Sequence, residues 1–323
     1  MSQTRLATAL DEGLLSLPEG GIALLRPAAD WDAEGLTPAD LTVVHGFRPD
    51  MDAWAARGAT VTRDMPECDL AIVVVPRSKS LARAQVAQAA SSAARVLVDG
   101  QKTDGVDSLF KECRKRLGDL PSVTKGHGRL FWFDRTDAFA DWAAPPPALG
   151  DHGFHTTAGV FSDGAVDKGS ALLAEALTAK LPARMADFGA GWGYLSQAVL
   201  TRDGVTSLDL IEAEALSLDC ARLNVTDPRA GFLWADATRH KPKEPYGGIV
   251  MNPPFHTGRA GDPALGRAFI AAAAAALSPN GQLWMVANRH LPYETALRER
   301  FRTVDEIGGD RSFKLFHATR PLR

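Results

Sequence analysis

A chain of 323 residues exceeds the roughly 250–300 residues at which one hydrophobic core stops growing, so we expect two domains. The net charge of −3 and the hydrophobic content of 45% are ordinary for a globular protein and neither require nor exclude a nucleic-acid partner. No apolar run approaches the ~18 residues that cross a membrane, and the N-terminus lacks the apolar core of a signal peptide. Three widely spaced cysteines without a CxxC pair add to the prediction of a cytoplasmic protein.

The first half of the chain alternates short apolar runs with helical stretches, which is typical of an α/β fold with parallel strands. Residues 69–100 predict a strand that runs into a proline, an alanine-rich helix and a second strand. Residues 105–117, "GVDSLFKECRKRL", predict a further helix in a region rich in lysine and arginine. Such basic clusters are usually solvated helix faces.

A proline- and glycine-rich segment, "WAAPPPALGDHG" at residues 142–153, interrupts the chain near its middle. Consecutive prolines form a semi-rigid spacer, which is typical of a domain boundary. We therefore predict one domain over residues 1–147 and a second over residues 148–323.

The second half repeats the alternation of strand and helix six times, which predicts a seven-stranded doubly wound sheet that ends in a hairpin. A long helix, predicted over residues 263–281, closes at a Pro-Asn-Gly turn. The predicted strands lie within residues 183–193, 205–214, 230–238, 246–255 and 282–288, and the hairpin within residues 303–320.

The first half resembles the second in its order of elements. When "IVVVPRSK" is placed on "IVMNPPFH", Val75 occupies the place of Asn252 and Arg77 that of Pro254. The first half also lacks a glycine-rich loop between a strand and a helix. The pattern predicts a duplicated α/β domain whose first copy has lost its active-site residues.

A glycine loop, "DFGAGWGYLS" at residues 187–196, follows the first predicted strand of the second half. Its glycines, 189, 191 and 193, allow a sharp turn and a close approach of a ligand to the main chain. The dinucleotide fingerprint GxGxxG would require a glycine where Tyr194 stands, so the loop favours S-adenosylmethionine over NAD.

Two acidic residues follow the next two predicted strands. Glu212 stands about 20 residues after the glycine loop begins, where a carboxylate meets ribose hydroxyls in doubly wound folds. Asp209 and Glu214 are alternatives for this role. Asp236 could accept a hydrogen bond from an adenine amine. Ligands bind beyond the carboxyl ends of such strands, so the ordered series predicts a cofactor site.

The segment Asn252-Pro253-Pro254-Phe255 follows the fourth predicted strand. An exocyclic amine on a base is a poor nucleophile, because its lone pair is delocalised into the ring. Hydrogen-bond acceptors on the amine protons localise that lone pair, and the Asn252 side-chain and Pro253 main-chain carbonyls are suitable acceptors. Pro253 has a φ fixed by its ring, and Asn252 is held extended because it precedes a proline, so both carbonyls point in a set direction. Phe255 offers a face on which a base can stack. His256 is a candidate proton acceptor or phosphate contact, and the His152/His155 pair lacks the companions of a metal site.

Five stretches resemble class I S-adenosylmethionine-dependent methyltransferases, and more narrowly the bacterial ribosomal RNA guanine-N2 methyltransferases of the RsmC/RlmG type. They are "TTAGVFSDGAVDKGSALL", "DFGAGWGYLS", "NPPFHTG", "QLWMVANRHLPY" and "RSFKLFHA", which together span most of the second half. The resemblance implies two tandem Rossmann-like methyltransferase domains, of which the N-terminal one is degenerate and the C-terminal one catalytic.

The same resemblance implies the reaction and its residues. The enzyme would transfer a methyl group to the N2 amine of a guanine in 16S rather than 23S ribosomal RNA, with residues 252–255 at the target amine. Its partner would be ribosomal RNA or a subunit assembly intermediate, and the enzyme would be a cytoplasmic monomer without a metal or membrane segment. The cofactor residues would be Phe161, Lys168, Gly169, Asp187, Gly189, Ala190, Gly191, Gly193, Glu212, Asp236, Ala237 and Asn252.

Three residues depart from the family's pattern, and two other functions remain open. Phe188 and Trp192 are bulkier than usual in the glycine loop, and Glu212 stands where relatives often carry aspartate. Another Asn-Pro-Pro methyltransferase, acting on adenine N6 or a protein glutamine, is one alternative. A non-catalytic RNA-binding assembly module is the other, and the basic stretches gain meaning as phosphate contacts in either RNA function.

Overall fold

The computed structural model describes residues 3–157, 159–160, 165–254 and 263–322. Tertiary contacts divide the chain into two compact units, Met1–Pro146 and Pro147–Arg323, which are called here the first and the second unit. The division falls inside the proline-rich segment at residues 142–153. No helix of the described residues is long and apolar enough to cross a membrane.

The first unit is a seven-stranded sheet with helices on both faces. Side chains alternate between two cores, as the pleat of a strand requires: Ile22 and Leu24 face one core, Ala23 and Leu25 the other. The strands are β1 (Ile22–Leu25), β2 (Leu41–Val44), β3 (Thr60–Thr62), β4 (Cys68–Val74), β5 (Ala93–Gln101), β6 (Ser122–Lys125) and β7 (Gly128–Asp134). The helices are α1 (Arg5–Asp11), α2 (Arg48–Ala56), α3 (Lys79–Ser92) and α4 (Val106–Leu117), with 3₁₀ turns at Pro38–Asp40, Lys102–Asp104 and Ala140–Trp142.

The second unit contains a second seven-stranded sheet, preceded by a small two-stranded one. The strands are β8 (Ala148–Leu149), β9 (His155–Thr156), β10 (Arg184–Phe188), β11 (Ser207–Glu212), β12 (Ala230–Trp234), β13 (Tyr246–Met251), β14 (Leu277–Asn288), β15 (Phe301–Gly309) and β16 (Phe313–Pro321). The helices are α5 (Lys168–Ala176), α6 (Tyr194–Leu200), α7 (Ala215–Asn224), α8 (Pro263–Ala276) and α9 (Tyr293–Arg298).

The two large sheets have the same topology. The order is β3-β2-β1-β4-β5-β7-β6 in the first unit and β12-β11-β10-β13-β14-β16-β15 in the second. In each, five strands are parallel and the last two form an antiparallel hairpin that pairs with the fifth. This confirms the predicted fold of two tandem Rossmann-like domains, the second of which ends in a hairpin.

One predicted boundary is wrong. The helix predicted over residues 263–281 ends at Ala276, and strand β14 begins at Leu277 rather than at Gln282. Leu277 already pairs with Tyr246 of β13, and the register shifts before the next pair, Gly248 and Gln282. Residues 278–281 therefore form an irregularity within strand β14. Their Pro-Asn-Gly sequence is typical of a turn and does not reveal that a strand begins before it.

The parallel strands of the second sheet bring their carboxyl ends to one edge. Phe188, the last residue of β10, pairs with Ile211 on one side and with Met251, the last residue of β13, on the other. Glu212 ends β11 and pairs with Trp234, which ends β12. The glycine loop, Glu212, Asp236 and Asn252 therefore leave the sheet at the same edge.

Gly266 provides the first test of this packing. A Cβ at this position of α8 would lie 2.1 Å from the buried Tyr293 hydroxyl. Helix propensity alone favours alanine over glycine by about 1 kcal/mol, whereas overpacking a buried site costs about 1–3 kcal/mol. We expect Gly266→Ala to lower the temperature of thermal unfolding.

The reference is Ala275→Gly, at an exposed position of the same helix, which changes helix propensity without touching Tyr293. Thermal unfolding followed by circular dichroism measures both variants. A Gly266→Ala variant that unfolds at or above the wild-type temperature would contradict the contact with Tyr293.

Candidate functional site

The glycine loop turns from β10 into α6 through main-chain conformations that only glycine adopts readily. Gly193, the N-cap of α6, has a φ of 94°, and a Cβ there would lie 2.7 Å from Val225. Gly191 has a φ of 56°, and a Cβ there would meet no atom of the described residues within 4 Å. The loop is therefore packed tightly against α7 on one side and leaves open space beside Gly191.

Glu212 ties this loop to the end of β11. Its Oε2 accepts a hydrogen bond from the Gly191 main-chain N–H at 2.8 Å, and its Oε1 accepts one from Glu214 N–H at 2.7 Å. Burial raises the pKa of the Glu212 carboxyl, and the main-chain donors oppose that rise. Each oxygen retains a second lone pair, so Glu212 can hold the loop and still accept from a ligand.

Asp187 lies at the centre of the site and is fully buried. Its Oδ2 accepts a hydrogen bond from the Ser196 hydroxyl at 2.7 Å. Its other oxygen, Oδ1, is buried without a hydrogen-bond partner among the described residues. Burial, and secondarily the nearby Glu212 carboxylate, raises the pKa of Asp187 to about 7. An unpaired buried acceptor is costly, so Asp187 is a candidate for contact with a ligand's hydrogen-bond donor.

Asp236 and Ala237 follow β12 at the same edge. Asp236 Oδ1 accepts from the main-chain N–H of Thr238 at 2.8 Å and from its hydroxyl at 2.6 Å, which closes an Asx turn. Among the described residues no hydrogen bond uses its other oxygen, and the next residue, Ala237, is buried. The carboxylate is thereby held in a fixed direction with one oxygen available.

Asn252 follows β13 with its carboxamide in a fixed orientation. Its Nδ2 donates to Asp167 Oδ2 and to Ser170 Oγ, both at 2.8 Å. Its Oδ1 is buried without a hydrogen-bond partner in the part of the chain that the structure describes. Pro253 is buried and Pro254 is exposed. The amide therefore presents an unpaired acceptor at the carboxyl end of β13.

Asp167 and Ser170 belong to this site, although the sequence predicted no role for Asp167. Asp167 is the N-cap of α5, where its Oδ2 accepts from the Ser170 N–H at 2.8 Å. Gly169 permits the close packing, because a Cβ there would lie 3.0 Å from the Phe313 ring and 3.1 Å from Asp167. The Asp-x-x-Ser spacing was a signal for a helix cap, but it could not reveal the bond to Asn252.

The remaining predicted residues lie beside the groups described above or outside the described part of the chain. Lys168 is exposed at the start of α5, close enough to Asp310 to help lower the pKa of that carboxyl after its main-chain hydrogen bonds to Ser312 and Phe313. Ala190 is buried within the glycine loop. Phe161, Phe255 and His256 lie outside the described residues.

The histidines of the "HGFH" segment have packing partners. His152 stacks on Trp192 of the glycine loop with ring centroids 5.8 Å apart, and His155 contacts Asn224, which also donates to the Trp192 carbonyl at 2.8 Å. Within the described residues, no group of three or more His, Cys, Asp or Glu side chains is arranged to hold a metal ion. These contacts explain the bulky Trp192 as a residue that packs the loop against the turn before β9 and against α7.

Comparison with known proteins gives a consistent family. The family model of the methyltransferase small domain matches residues 151–317. Ribosomal RNA small subunit methyltransferase C of Shewanella halifaxensis (strain HAW-EB4) is 28% identical over 263 residues, covering 77% of this chain and 76% of that protein. The protein of the same name from Alteromonas mediterranea is 35% identical over 162 residues, covering 50% of this chain and 45% of that protein.

A solved structure resembles both units together. The T. thermophilus 16S rRNA N2 G1207 methyltransferase (RsmC), in complex with AdoMet and guanosine, superposes with a TM-score of 0.78. Its sequence is 25% identical, and the match covers 95% of this chain and 90% of that one. The similarity therefore includes the first unit as well as the second.

Asp187 gives a prediction on pH and stability. Its carboxyl has an ordinary pKa of 3.8 and a pKa of about 7 in the folded protein, so ionising it opposes folding. That cost is absent below pH 3.8, grows as the pH rises to about 7 and then stays constant. We expect Asp187→Asn to stabilise the cofactor-free protein by about 2 kcal/mol more at pH 8 than at pH 5.5.

Denaturant unfolding at the two pH values measures this difference. Asp151→Asn, at an exposed position of the same unit, is the control for removing one negative charge. Equal effects of Asp187→Asn at both pH values would contradict the raised pKa.

Proposed function

Since this chain belongs to the methyltransferase small domain family, we propose that it transfers a methyl group from S-adenosylmethionine to the N2 amine of a guanine in 16S ribosomal RNA. The single observation that carries the proposal is the Oδ1 of Asn252 at the carboxyl end of β13, which is buried and has no hydrogen-bond partner among the described residues. This acceptor stands at the same sheet edge as the glycine loop, because β10 and β13 are adjacent. Family membership also disfavours the alternative of a non-catalytic RNA-binding module.

Asn252 and Pro253 would prepare the target amine. S-adenosylmethionine supplies an electrophilic methyl group when it is bound. The Asn252 Oδ1 and the Pro253 main-chain carbonyl would accept the two N–H groups of the guanine amine, which draws the nitrogen toward tetrahedral geometry. The lone pair would then localise on nitrogen, and the new N–C bond would form as the S–C bond to the methyl group breaks, which leaves the cofactor as the thioether. The methylated amine would then lose a proton to water. Positioning and electrostatics account for the rate, without an acid or base of unusual strength.

The unpaired acceptors fit the donors of the cofactor. The buried Asp187 Oδ1 would accept from the ammonium group of its methionine part, and the free oxygen of Asp236 from its adenine amine. Glu212 would use its remaining lone pairs for the ribose hydroxyls. Open space beside Gly191 allows a ligand to approach the main chain. The other residues proposed to line the cofactor are Phe161, Lys168, Gly169, Gly189, Ala190, Gly193 and Ala237.

The first unit would serve recognition rather than chemistry. Val75 follows β4 where Asn252 follows β13, and the residues after β1 include no glycine loop. A cavity beyond the end of β4 is lined by Arg77, Lys79 and Ser108. Arg77 pairs with Asp104, which also lines the cavity, and Lys79 pairs with Glu112. Such cations suit the phosphate groups of RNA.

Several finer properties belong to the same proposal. The target guanine would be unstacked, as in a loop or a subunit assembly intermediate, because a base within a helix cannot reach a pocket. Phe255 would offer the stacking face. We propose that the enzyme acts as a cytoplasmic monomer.

The direct test is the modification pattern of ribosomal RNA. We expect mass-spectrometric mapping of cells that lack this protein to show one N2-methylguanosine missing from 16S RNA, restored by the wild-type gene. Loss of an N6-methyladenine or of a methylated glutamine would instead assign the chain to another Asn-Pro-Pro methyltransferase. Unchanged RNA and protein methylation would refute the proposal.

Asn252→Ala separates chemistry from cofactor binding. Removal of the acceptor leaves the amine lone pair delocalised, so we expect methyl transfer to fall on the order of a hundredfold or more. Calorimetry should show a much smaller loss of cofactor affinity, within about threefold, since the Asn252 Oδ1 serves the target amine and the cofactor would keep its contacts with Asp187, Glu212 and Asp236. Asn280→Ala, an exposed substitution in β14, is the control. Wild-type activity of Asn252→Ala would contradict the proposed acceptor.

Arg77→Ala/Lys79→Ala tests recognition by the first unit. Each lost phosphate contact should lower RNA affinity and reduce the slope of log affinity against log salt by about 0.7. Fluorescence anisotropy with a 16S RNA fragment measures both quantities. The control is Arg95→Ala, an exposed cation of the same unit that pairs with Asp134 near the other end of the sheet. An unchanged salt slope with wild-type affinity would exclude these two phosphate contacts.

A further inference from the structure

The orientation of the Asn252 carboxamide is set by its neighbours in the fold. Asp167 Oδ2 and Ser170 Oγ, both at 2.8 Å, take up its two N–H donors. The geometry points to Asp167 as a positioning residue that fixes which end of this amide faces the substrate. The inference rests on the proposed function, since it concerns the acceptor that would contact the target amine.

A carboxylate can determine this orientation because it has no hydrogen to donate. An ionised aspartate accepts hydrogen bonds only, so an amide that contacts it must present its nitrogen. If the Asn252 amide were flipped, its Oδ1 would face Asp167 Oδ2, and two acceptors would meet without a proton between them. Two acceptors that face each other without a shared proton cost free energy when they are shielded from water. Ser170 could tolerate either orientation, since a hydroxyl both donates and accepts.

The orientation decides what kind of group the site binds. With the nitrogen turned toward Asp167, the buried Oδ1 has no partner among the residues that the structure describes, so it could accept from a substrate donor such as an amine. A flipped amide would present N–H groups and favour a carbonyl such as guanine O6. Asp167 thereby contributes to selecting an amine as the methyl acceptor.

The position of Asp167 is itself fixed by helix α5. Its Oδ2 accepts from the Ser170 main-chain N–H at 2.8 Å, which makes it the N-cap of the helix. The same oxygen accepts from Asn252, so one atom both starts the helix and orients the amide. Gly169 keeps this arrangement compact, because a Cβ there would lie 3.0 Å from the Phe313 ring and 3.1 Å from Asp167 Oδ2, which is tighter than ordinary contacts.

Two substitutions of Asp167 separate the cap from the orientation. Serine is as good an N-cap as aspartate, but its shorter side chain does not reach Asn252. Asparagine caps equally well, and its carbonyl can still accept from Asn252. At saturating cofactor and RNA we expect Asp167→Ser to lower kcat by about tenfold to a hundredfold, and Asp167→Asn to recover most of that loss. Cofactor affinity and the unfolding temperature should be similar in the two variants.

Wild-type kcat in Asp167→Ser, or equal losses in the two variants, would reduce Asp167 to a helix cap and overturn the inference. The same would hold if the loss in Asp167→Ser came only through KM for the cofactor.

A spectroscopic measurement tests the orientation without any methyl transfer. The chain has four asparagines, so selective ¹⁵N-asparagine labelling gives four side-chain amide pairs, and the pair missing in Asn252→Asp identifies Asn252. Both of its protons should exchange slowly with water in the wild type, and at least tenfold faster in Asp167→Ser. Equal exchange in both proteins would overturn the inference. Failure of the proposed function appears separately, as wild-type protein that methylates no guanine.

Discussion

The pairing of β10 with β11 on one side and β13 on the other is the constraint on which the site depends. Since the pairs are parallel and end together, residues that are distant in the chain leave the sheet at one edge. The glycine loop, Glu212 and Asn252 share this edge before any side chain contributes a contact. Hydrogen bonds then set their directions: Glu212 holds Gly191, and Asp167 holds Asn252.

Two buried polar groups of the site share one property: part of each group is hydrogen-bonded within the described residues, and one oxygen of each is not. Asp187 and Asn252 each use one side of their polar group to contact a protein donor or acceptor, and each has one buried oxygen without a partner in the part of the chain that the structure describes. Each such oxygen lowers the stability of the free protein, and a ligand donor would remove that cost. The pKa of Asp187 is raised mainly because the carboxyl group is buried, and that burial also makes its unpaired oxygen costly. Binding energy and folding energy are therefore coupled at these two residues.

The sequence predicted those features that depend on strand order and local pattern. Alternating elements were sufficient for the duplicated sheet, and Glu212 and Asn252 could be placed because Glu212 ends one periodic strand and Asn252 directly follows another. The contact between Asp167 and Asn252 could not be predicted, since 85 residues separate them and the bond depends on the placement of α5. The hydrogen bond between Glu212 and the Gly191 main-chain N–H could not be predicted for a similar reason, because it depends on the three-dimensional course of the glycine loop. The early start of β14 arises from one tertiary pair, Leu277 with Tyr246.

The identical topology of the two units has a thermodynamic consequence. A cofactor bound at the proposed glycine loop would add its binding free energy to the stability of the second unit, whereas the sequence of the first unit contains no comparable loop. The first copy, with Val75 in place of the asparagine, must reach its full stability from its own core. The resistance of the second unit to unfolding would therefore follow the metabolic supply of a small molecule, whereas the first unit has no glycine loop of its own through which to gain the same stabilisation.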